Sequence, residues 1–89
     1  MRGFRLEKTY IVPFSEGLHA RPASQFIQLV KDYSGEVQIE KEGTTVNGKS
    51  MLRIMMLGAK QGAQLTITLT GDETEATSIF STLDAFFHA

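Results

Sequence analysis

The chain has 89 residues, 42% of them hydrophobic, and nine basic against ten acidic side chains give a net charge of −1. This balance gives no electrostatic support for binding nucleic acid or an anionic membrane, and the absence of cysteine excludes disulfides and thiolate metal sites. No apolar run approaches the roughly 20 residues that span a bilayer, and the first residues lack a secretion signal's apolar core. We therefore expect a single cytoplasmic domain over residues 1–89, with no metal and no cofactor.

A strand is predicted over residues 4–12. Its apolar side chains of one parity indicate a buried face: Leu6, Tyr10 and Val12. Pro13 ends this strand, and Ser15-Glu16-Gly17 forms the loop that leads to His19.

The first helix is predicted to follow this loop directly. Apolar residues recur there at the spacing of one helix face: Ala23, Phe26, Ile27 and Val30. Pro22 suits the first turn, where a missing N–H is no loss, and this places His19 at or beside the N-cap. Ser34-Gly35 ends the helix after about Tyr33.

An imidazole at a helix start has a specific chemistry. Unpaired backbone N–H groups and the positive end of the helix dipole favour an anion there, phosphate above all, and Arg21 adds a fork of donors. A neutral imidazole nitrogen is a good nucleophile near pH 7. His19 is therefore a candidate phosphoryl acceptor, although an isolated histidine in a turn is more often a solvated surface residue.

A β-hairpin is predicted next. Residues 36–40 alternate strictly, with Val37 and Ile39 inward, and a tight turn over 41–44 leads into a short strand around Thr45 and Val46.

The second predicted helix is short and unusually apolar. Ser50 is a good N-cap, and the helix over residues 50–57 is closed by Gly58. Its apolar side chains surround nearly the whole circumference: Met51, Leu52, Ile54, Met55, Met56 and Leu57. So small a domain cannot bury them all, and we predict a docking surface formed by Met51, Leu52, Met55 and Met56. Complete burial of this helix in the core is the alternative.

The last strand and helix complete the pattern. In residues 64–70 three side chains face the core, Leu65, Ile67 and Leu69, and the threonines between them face water. Asp72 is an N-cap with Glu75 as its capping-box partner, and His88 is exposed at the tail. One face of this helix is apolar: Ala76, Ile79, Phe80, Leu83 and Phe86 or Phe87. The order β-α-β-β-α-β-α predicts a two-layer α+β sandwich, with the helices on one side of an antiparallel sheet.

Two stretches resemble one known family. Gly17-Leu18-His19-Ala20-Arg21-Pro22-Ala23 is similar to the active-site signature of HPr, the histidine phosphocarrier of the bacterial phosphoenolpyruvate:sugar phosphotransferase system. Asn47-Gly48-Lys49-Ser50-Met51-Leu52 resembles the regulatory serine motif of the same family, at the same separation from the histidine. The resemblance implies an open-faced β-sandwich, in which three helices cover one face of a four-stranded antiparallel sheet.

The resemblance also implies a carrier rather than an enzyme. His19 would accept a phosphoryl group on Nδ1 from phospho-enzyme I and pass it to the IIA unit of a sugar permease. Arg21 would pair with the phosphoryl oxygens, and the backbone amides of Ala20 and Arg21 would bind the remaining ones. A catalytic domain is disfavoured, because the sequence shows no second general base near His19 and no nucleotide-binding glycine-rich loop.

Ser50 matches the serine that HPr kinase/phosphorylase modifies. A phosphate there adds about two negative charges beside the docking surface, which weakens docking of enzyme I and favours a basic partner. In the family that partner is the catabolite control repressor. A plain N-cap role for Ser50 is equally compatible with the sequence. The alternative function is a regulatory paralogue that acts through Ser50, but the known paralogue has glutamine at the position of His19.

Three features depart from the family pattern. Arg53 stands where a small residue is common, Met56 replaces what is often serine or threonine, and about four extra residues precede the first strand. Since Arg53 and Met56 lie on the docking helix, partner choice is the property most affected. We expect a monomer, with strand-swapped dimers as a hazard of so small a sheet.

Overall fold

In the computed structural model, which describes residues 4–88, four strands and three helices follow one another in the predicted order β-α-β-β-α-β-α. The elements are β1 (Phe4–Ile11), α1 (Ala20–Val30), β2 (Glu36–Lys41), β3 (Thr44–Asn47), α2 (Met51–Leu57), β4 (Gln64–Gly71) and α3 (Glu73–Phe87). Within this part of the chain, no helix has the length and apolar character needed to cross a membrane.

The strands form one antiparallel sheet in the order β1-β4-β2-β3. β4 is central: its pairing with β1 runs from Phe4↔Gly71 to Ile11↔Gln64, and its pairing with β2 from Glu36↔Thr70 to Glu40↔Thr66. The N-terminal strand β1 is therefore an edge strand that pairs with the central strand β4. The predicted α+β fold with a four-stranded antiparallel sheet is confirmed.

The core lies between the helices and one face of the sheet. The alternation predicted for β2 and β4 is confirmed, because their inward side chains are buried: Val37, Ile39, Leu65, Ile67 and Leu69. The helices bury the predicted stripes against them: Ala23, Phe26 and Val30 from α1, and Ala76, Phe80, Leu83 and Phe87 from α3. The Tyr10 ring stacks on the Phe87 ring with centroids 4.7 Å apart, which joins β1 to the end of α3.

Helix α1 ends earlier than its sequence predicts. It stops at Val30 rather than near Tyr33, and the Tyr33 backbone N–H donates to the Val30 carbonyl at 3.1 Å in the turn that follows. Leaving the helix lets the buried Tyr33 ring reach the sheet, where its hydroxyl donates to the Thr70 carbonyl at 2.9 Å. A tertiary hydrogen bond thus decides where the helix ends.

Two predictions about which sheet residues are buried are wrong. Leu6 is 37% exposed, because it lies on the edge strand β1 and the helices do not fully cover it. Thr68 is buried, although it lies on the open face predicted to meet water. It sits on the central strand between its partners Glu7 on β1 and Gln38 on β2, and their longer side chains shield it.

The predicted capping box at the start of α3 is half formed. The Asp72 carboxylate accepts from the Glu75 backbone N–H at 2.8 Å, as expected of an N-cap. The Glu75 carboxylate, however, accepts from the Ser34 backbone N–H at 3.0 Å and from the Ser34 hydroxyl at 2.6 Å. Glu75 therefore links α3 to the loop between α1 and β2 instead of capping its own helix.

The loop that leads into α1, residues 12–18, is held by the loop that follows α2, residues 59–63. Four hydrogen bonds join them: Val12 N–H to Ala63 O at 2.9 Å, Gly62 N–H to Val12 O at 2.8 Å, Leu18 N–H to Ala59 O at 2.9 Å and Gln61 Nε2 to Pro13 O at 3.2 Å. Gly17 has φ 78°, and a Cβ there would lie 2.4 Å from the Ala59 carbonyl oxygen. Only glycine allows the two backbones to come this close.

We expect Gly17→Ala to lower the free energy of unfolding by more than about 2 kcal/mol, because a left-handed alanine costs about 1–2 kcal/mol and the clash with Ala59 adds to it. Gly43→Ala is the matched control, since Gly43 also has a positive φ (86°) but a Cβ there meets nothing within 4 Å. It should cost only about 1 kcal/mol. Denaturant unfolding measures the free energy of unfolding of both variants. Equal losses would show that the close approach of Gly17 to the Ala59 carbonyl adds no cost to a side chain at position 17.

A hydrogen-bonded cluster joins β1 to α3. Asp84 accepts from the Tyr10 hydroxyl at 2.6 Å and from Lys8 Nζ at 2.9 Å. The Tyr10 and Lys8 hydrogen bonds hold the pKa of Asp84 below its usual value, although partial burial opposes them. Burial, reinforced by the bond to the Asp84 carboxylate, raises the pKa of Tyr10 well above that of a free phenol.

Tyr10→Phe should lower the free energy of unfolding at pH 7 by about 1 kcal/mol through the lost hydrogen bond. Because the pKa of Asp84 is depressed on folding, its contribution is present above the unfolded value of about 3.9 and is lost as the pH falls through the folded value. The variant should therefore lose less stability than wild type as the pH falls below about 4.

Tyr33→Phe provides the comparison, since the Tyr33 hydroxyl donates to a backbone carbonyl rather than to a carboxylate. It should cost a similar free energy and leave the acid dependence unchanged. Urea unfolding at a series of pH values tests this, and an unaltered pH profile in Tyr10→Phe would contradict the assigned role of Asp84.

Candidate functional site

His19 is the N-cap of α1. Its backbone is extended, with φ −146° and ψ 162°, and its side chain makes no capping hydrogen bond, unlike the serine or aspartate usual at this position. The residue is exposed to solvent. The predicted placement of His19 at the helix start is confirmed, and its imidazole does not serve as a cap.

The first turn of α1 presents two backbone donors beside His19. The Ala23 N–H bonds to the His19 carbonyl at 3.4 Å, and Pro22 has no N–H. In the described part of the chain, the N–H groups of Ala20 and Arg21 have no backbone acceptor. Ala20 has φ 48°, a left-handed value that costs an alanine on the order of 1 kcal/mol, so the helix departs from regular geometry at its first residue. Two donors and the positive end of the helix dipole thus converge at this point.

Arg21 supplies the positive charge of the site. It is exposed, and none of the ion pairs within residues 4–88 involves it. The first turn of α1 contains no acidic residue that would neutralise it. Its guanidinium is therefore available to an anion bound at the start of the helix, with the planar fork of donors that suits phosphate.

The loop at residues 59–63 supports this site and was not recognised from sequence. Its bond from Leu18 N–H to Ala59 O holds the residue just before His19, and Leu18 itself is buried. The available signal was the pair Gly58 and Gly62, which marks a loop but does not say what the loop contacts. The start of α1 is thus attached to Ala59, two residues after the end of α2.

Helix α2 is neither fully buried nor fully exposed. Ile54 and Leu57 face the core, Met51 and Met55 are half-buried, and two side chains project into solvent: Leu52, 66% exposed, and Met56, 65% exposed. The structure therefore excludes the alternative in which the core buries the whole helix. Helix α2 also contacts α1. We call the four partly or fully exposed apolar side chains of α2 the docking patch: Met51, Leu52, Met55 and Met56. Its role in docking remains a prediction.

Ser50 lies at the other end of α2 from the His19 loop. As predicted, it is the N-cap, and its hydroxyl accepts from the Arg53 backbone N–H at 3.2 Å. The preceding Lys49 donates from Nζ to the Tyr33 carbonyl. The seven residues of α2 span about 10 Å at 1.5 Å per residue, so Ser50 is not part of the site around His19. The docking patch lies between the two.

His88 is exposed and follows α3 as its C-cap. Residues 4–88 contain no group of three or more His, Cys, Asp or Glu side chains that could hold a metal ion.

The sequence of this chain matches a family model and a known protein. A family model described as the PTS HPr component phosphorylation site matches residues 6–88. Phosphocarrier protein HPr of Borreliella burgdorferi is 40% identical over 70 residues, which cover 79% of this chain and 81% of that protein.

Solved structures show the same similarity. The crystal structure of HPr from Bacillus anthracis superposes with a TM-score of 0.84 at 36% identity, covering 93% of this chain and 96% of that one. The Bacillus subtilis catabolite repression protein Crh, described as a dimer with a swapped domain, has a TM-score of 0.67 at 32% identity and 86% coverage of both chains. The family match over residues 6–88, the relative at 40% identity and the shared fold together show that this chain belongs to the HPr family, the phosphocarriers of the phosphotransferase system.

Proposed function

We propose that His19 accepts a phosphoryl group from phospho-enzyme I and passes it to the IIA component of a sugar permease. The observation that carries this proposal is an exposed N-cap imidazole beside two first-turn N–H groups and an arginine that forms no ion pair within residues 4–88. In the transfer, a nitrogen lone pair of His19 forms a bond to phosphorus while the bond from phosphorus to enzyme I breaks. Transfer to IIA reverses the roles and returns His19 to its starting state.

The site stabilises the phosphoryl group only moderately, as a carrier requires. The N–H groups of Ala20 and Arg21, which have no backbone acceptor among residues 4–88, and the Arg21 guanidinium would bind the phosphoryl oxygens. Because His19, Ala20 and Arg21 are all exposed, a second protein can reach the phosphorus from the side opposite the imidazole. A closed pocket would stabilise the phosphohistidine further but would obstruct the second transfer.

The docking patch is the surface on which enzyme I and the IIA component would bind. Leu52 and Met56 are the large apolar side chains most exposed on α2, and burying them in a partner removes apolar surface from water. The same helix carries Arg53, its single charge, which is exposed and favours a partner with a carboxylate opposite. We propose that Arg53 and Met56 set partner choice, and that the protein acts as a cytoplasmic monomer.

Incubation with enzyme I, phosphoenolpyruvate and Mg²⁺ should add one acid-labile phosphoryl group to wild type and none to His19→Ala. His88→Ala is the matched control, because it removes the other histidine and should accept phosphate normally. Intact-mass analysis before and after mild acid distinguishes the variants. Transfer to His19→Ala, or no transfer to wild type from several enzymes I, would refute the proposal.

We further propose that phosphorylation of Ser50 by an HPr kinase/phosphorylase regulates this transfer and favours binding to a catabolite control repressor. Ser50 caps α2, so a phosphate there lies at the positive end of the helix and leaves the fold intact. The added charge adjoins the docking patch, where it disfavours an apolar or acidic partner surface and favours a basic one.

Ser50→Asp should raise the KM for this protein in phosphorylation by enzyme I about tenfold, the effect of about 1.4 kcal/mol of repulsion and desolvation. Ser50→Asn is the matched control, because asparagine caps a helix as well as aspartate does but carries no charge. Steady-state transfer kinetics measure both variants. An equal KM for Asp and Asn would mean that charge at this position has no regulatory effect.

The second candidate function is a regulatory binding module, which the similarity to the catabolite repression protein Crh favours. Such a module would act through phospho-Ser50 without phosphoryl transfer at position 19. His19, at the start of α1 with its donors exposed, supports the carrier instead. The His19→Ala comparison decides between the two functions.

A further inference from the structure

The thioether sulfurs of this chain are concentrated in one helix. Three of its four methionines, Met51, Met55 and Met56, lie within the seven residues of α2, and the chain has no cysteine. With no thiol present, the methionine side chains are the most easily oxidised groups in the protein. Three of the four side chains that a peroxide oxidises most readily therefore lie in α2.

The structure separates the Met56 side chain from the groups that hold the fold together. Met56 is 65% exposed and Met51 and Met55 are half-buried, whereas Ile54 and Leu57 attach α2 to the core. Among residues 4–88, no methionine belongs to the buried core. At the start of α2 the Ser50 hydroxyl accepts from the Arg53 backbone N–H, and at its end the Gly58 N–H donates to the Met55 backbone carbonyl. Neither hydrogen bond uses a methionine side chain. Met51 and Met55 pack against the core, so it is oxidation at Met56 that changes the surface and leaves the core packing as it is.

We propose that α2 is a methionine-oxidation site at which a peroxide reacts first with Met56 and thereby weakens docking of enzyme I, without unfolding the protein. This inference rests on the proposed role of the docking patch. In the reaction the Met56 sulfur attacks one peroxide oxygen, an S–O bond forms and the O–O bond breaks. The sulfur is oxidised by two electrons, and the second oxygen leaves as hydroxide and is protonated to water.

The consequence for docking follows from the position of Met56. Leu52 and Met56 are four residues apart, so they lie one turn apart on the exposed side of α2. A thioether can be buried against a partner with little desolvation cost, whereas a sulfoxide oxygen binds water strongly and must lose it on docking. One sulfoxide at this position should weaken binding of enzyme I about tenfold.

The experiment compares wild type, Met56→Leu and the triple variant Met51→Leu/Met55→Leu/Met56→Leu. Leucine keeps an apolar side chain of similar volume that peroxide does not oxidise. Each protein is treated with hydrogen peroxide until wild type has gained one oxygen atom per chain, and peptide mass mapping locates it. Phosphorylation by enzyme I then gives kcat and KM, and thermal unfolding gives Tm.

In oxidised wild type we expect the oxygen on Met56, a KM about tenfold higher, and unchanged kcat and Tm, the pattern of lost binding without lost chemistry. The peroxide-treated triple variant should keep its untreated KM, and Met56→Leu should lose less than wild type. Methionine sulfoxide reductase should restore the KM of wild type.

Three results would overturn the inference: an unchanged KM in oxidised wild type, an equal loss in the peroxide-treated triple variant, or a lowered Tm that accompanies the higher KM. Untreated wild type that accepts no phosphate from enzyme I would count against the proposed function instead. The oxidation site would then be judged on the peptide map and the Tm alone, and oxygen found outside α2 or a lowered Tm would refute it.

Discussion

Strand β4 hydrogen-bonds along its length to β1 on one side and to β2 on the other, and the position of His19 depends on this pairing. β1 ends at Ile11, and the next residue, Val12, continues the contact by exchanging backbone hydrogen bonds with the loop at residues 59–63. That loop lies between α2 and β4, so the pairing of β1 with β4 also brings the end of α2 to the start of α1. Gly17 makes the close approach possible, because any side chain at that position would overlap the Ala59 carbonyl.

The residues that stabilise the fold are different from the residues exposed at the start of α1. The core side chains are aliphatic and aromatic, and the polar cluster of Lys8, Tyr10 and Asp84 lies between β1 and α3 rather than near His19. The groups at the start of α1 are exposed, and Ala20 is held in a left-handed conformation that the surrounding structure must maintain. Because these exposed groups contribute little to the core, their side chains are accessible to other proteins, as the proposed transfer at His19 requires.

The elements and caps with purely local causes were predictable from sequence. Ser50 and Asp72 are N-caps where short polar side chains precede apolar stripes, and the excess of apolar residues in α2 correctly indicated that some must be exposed. Leu6 is exposed because it lies on an edge strand, whereas the other failures share one physical cause, which is a distant partner. Tyr33 leaves α1 to bond to Thr70, and Glu75 bonds to Ser34 instead of capping its own helix. Thr68 is buried because the pairing of β4 with two neighbours covers it.

The sequence by itself determined the order of elements, most of the residues that face the core and the placement of His19 at a helix start, because periodicity, prolines and caps act within a few residues of the chain. Only the tertiary structure decided that β1 lies beside β4, that the loop at residues 59–63 holds Leu18, and that the docking patch lies between Ser50 and the His19 loop. Those arrangements depend on backbone hydrogen bonds between residues far apart in the chain. Backbone groups are the same in every residue except proline, so the local sequence carries little information about which of them will pair.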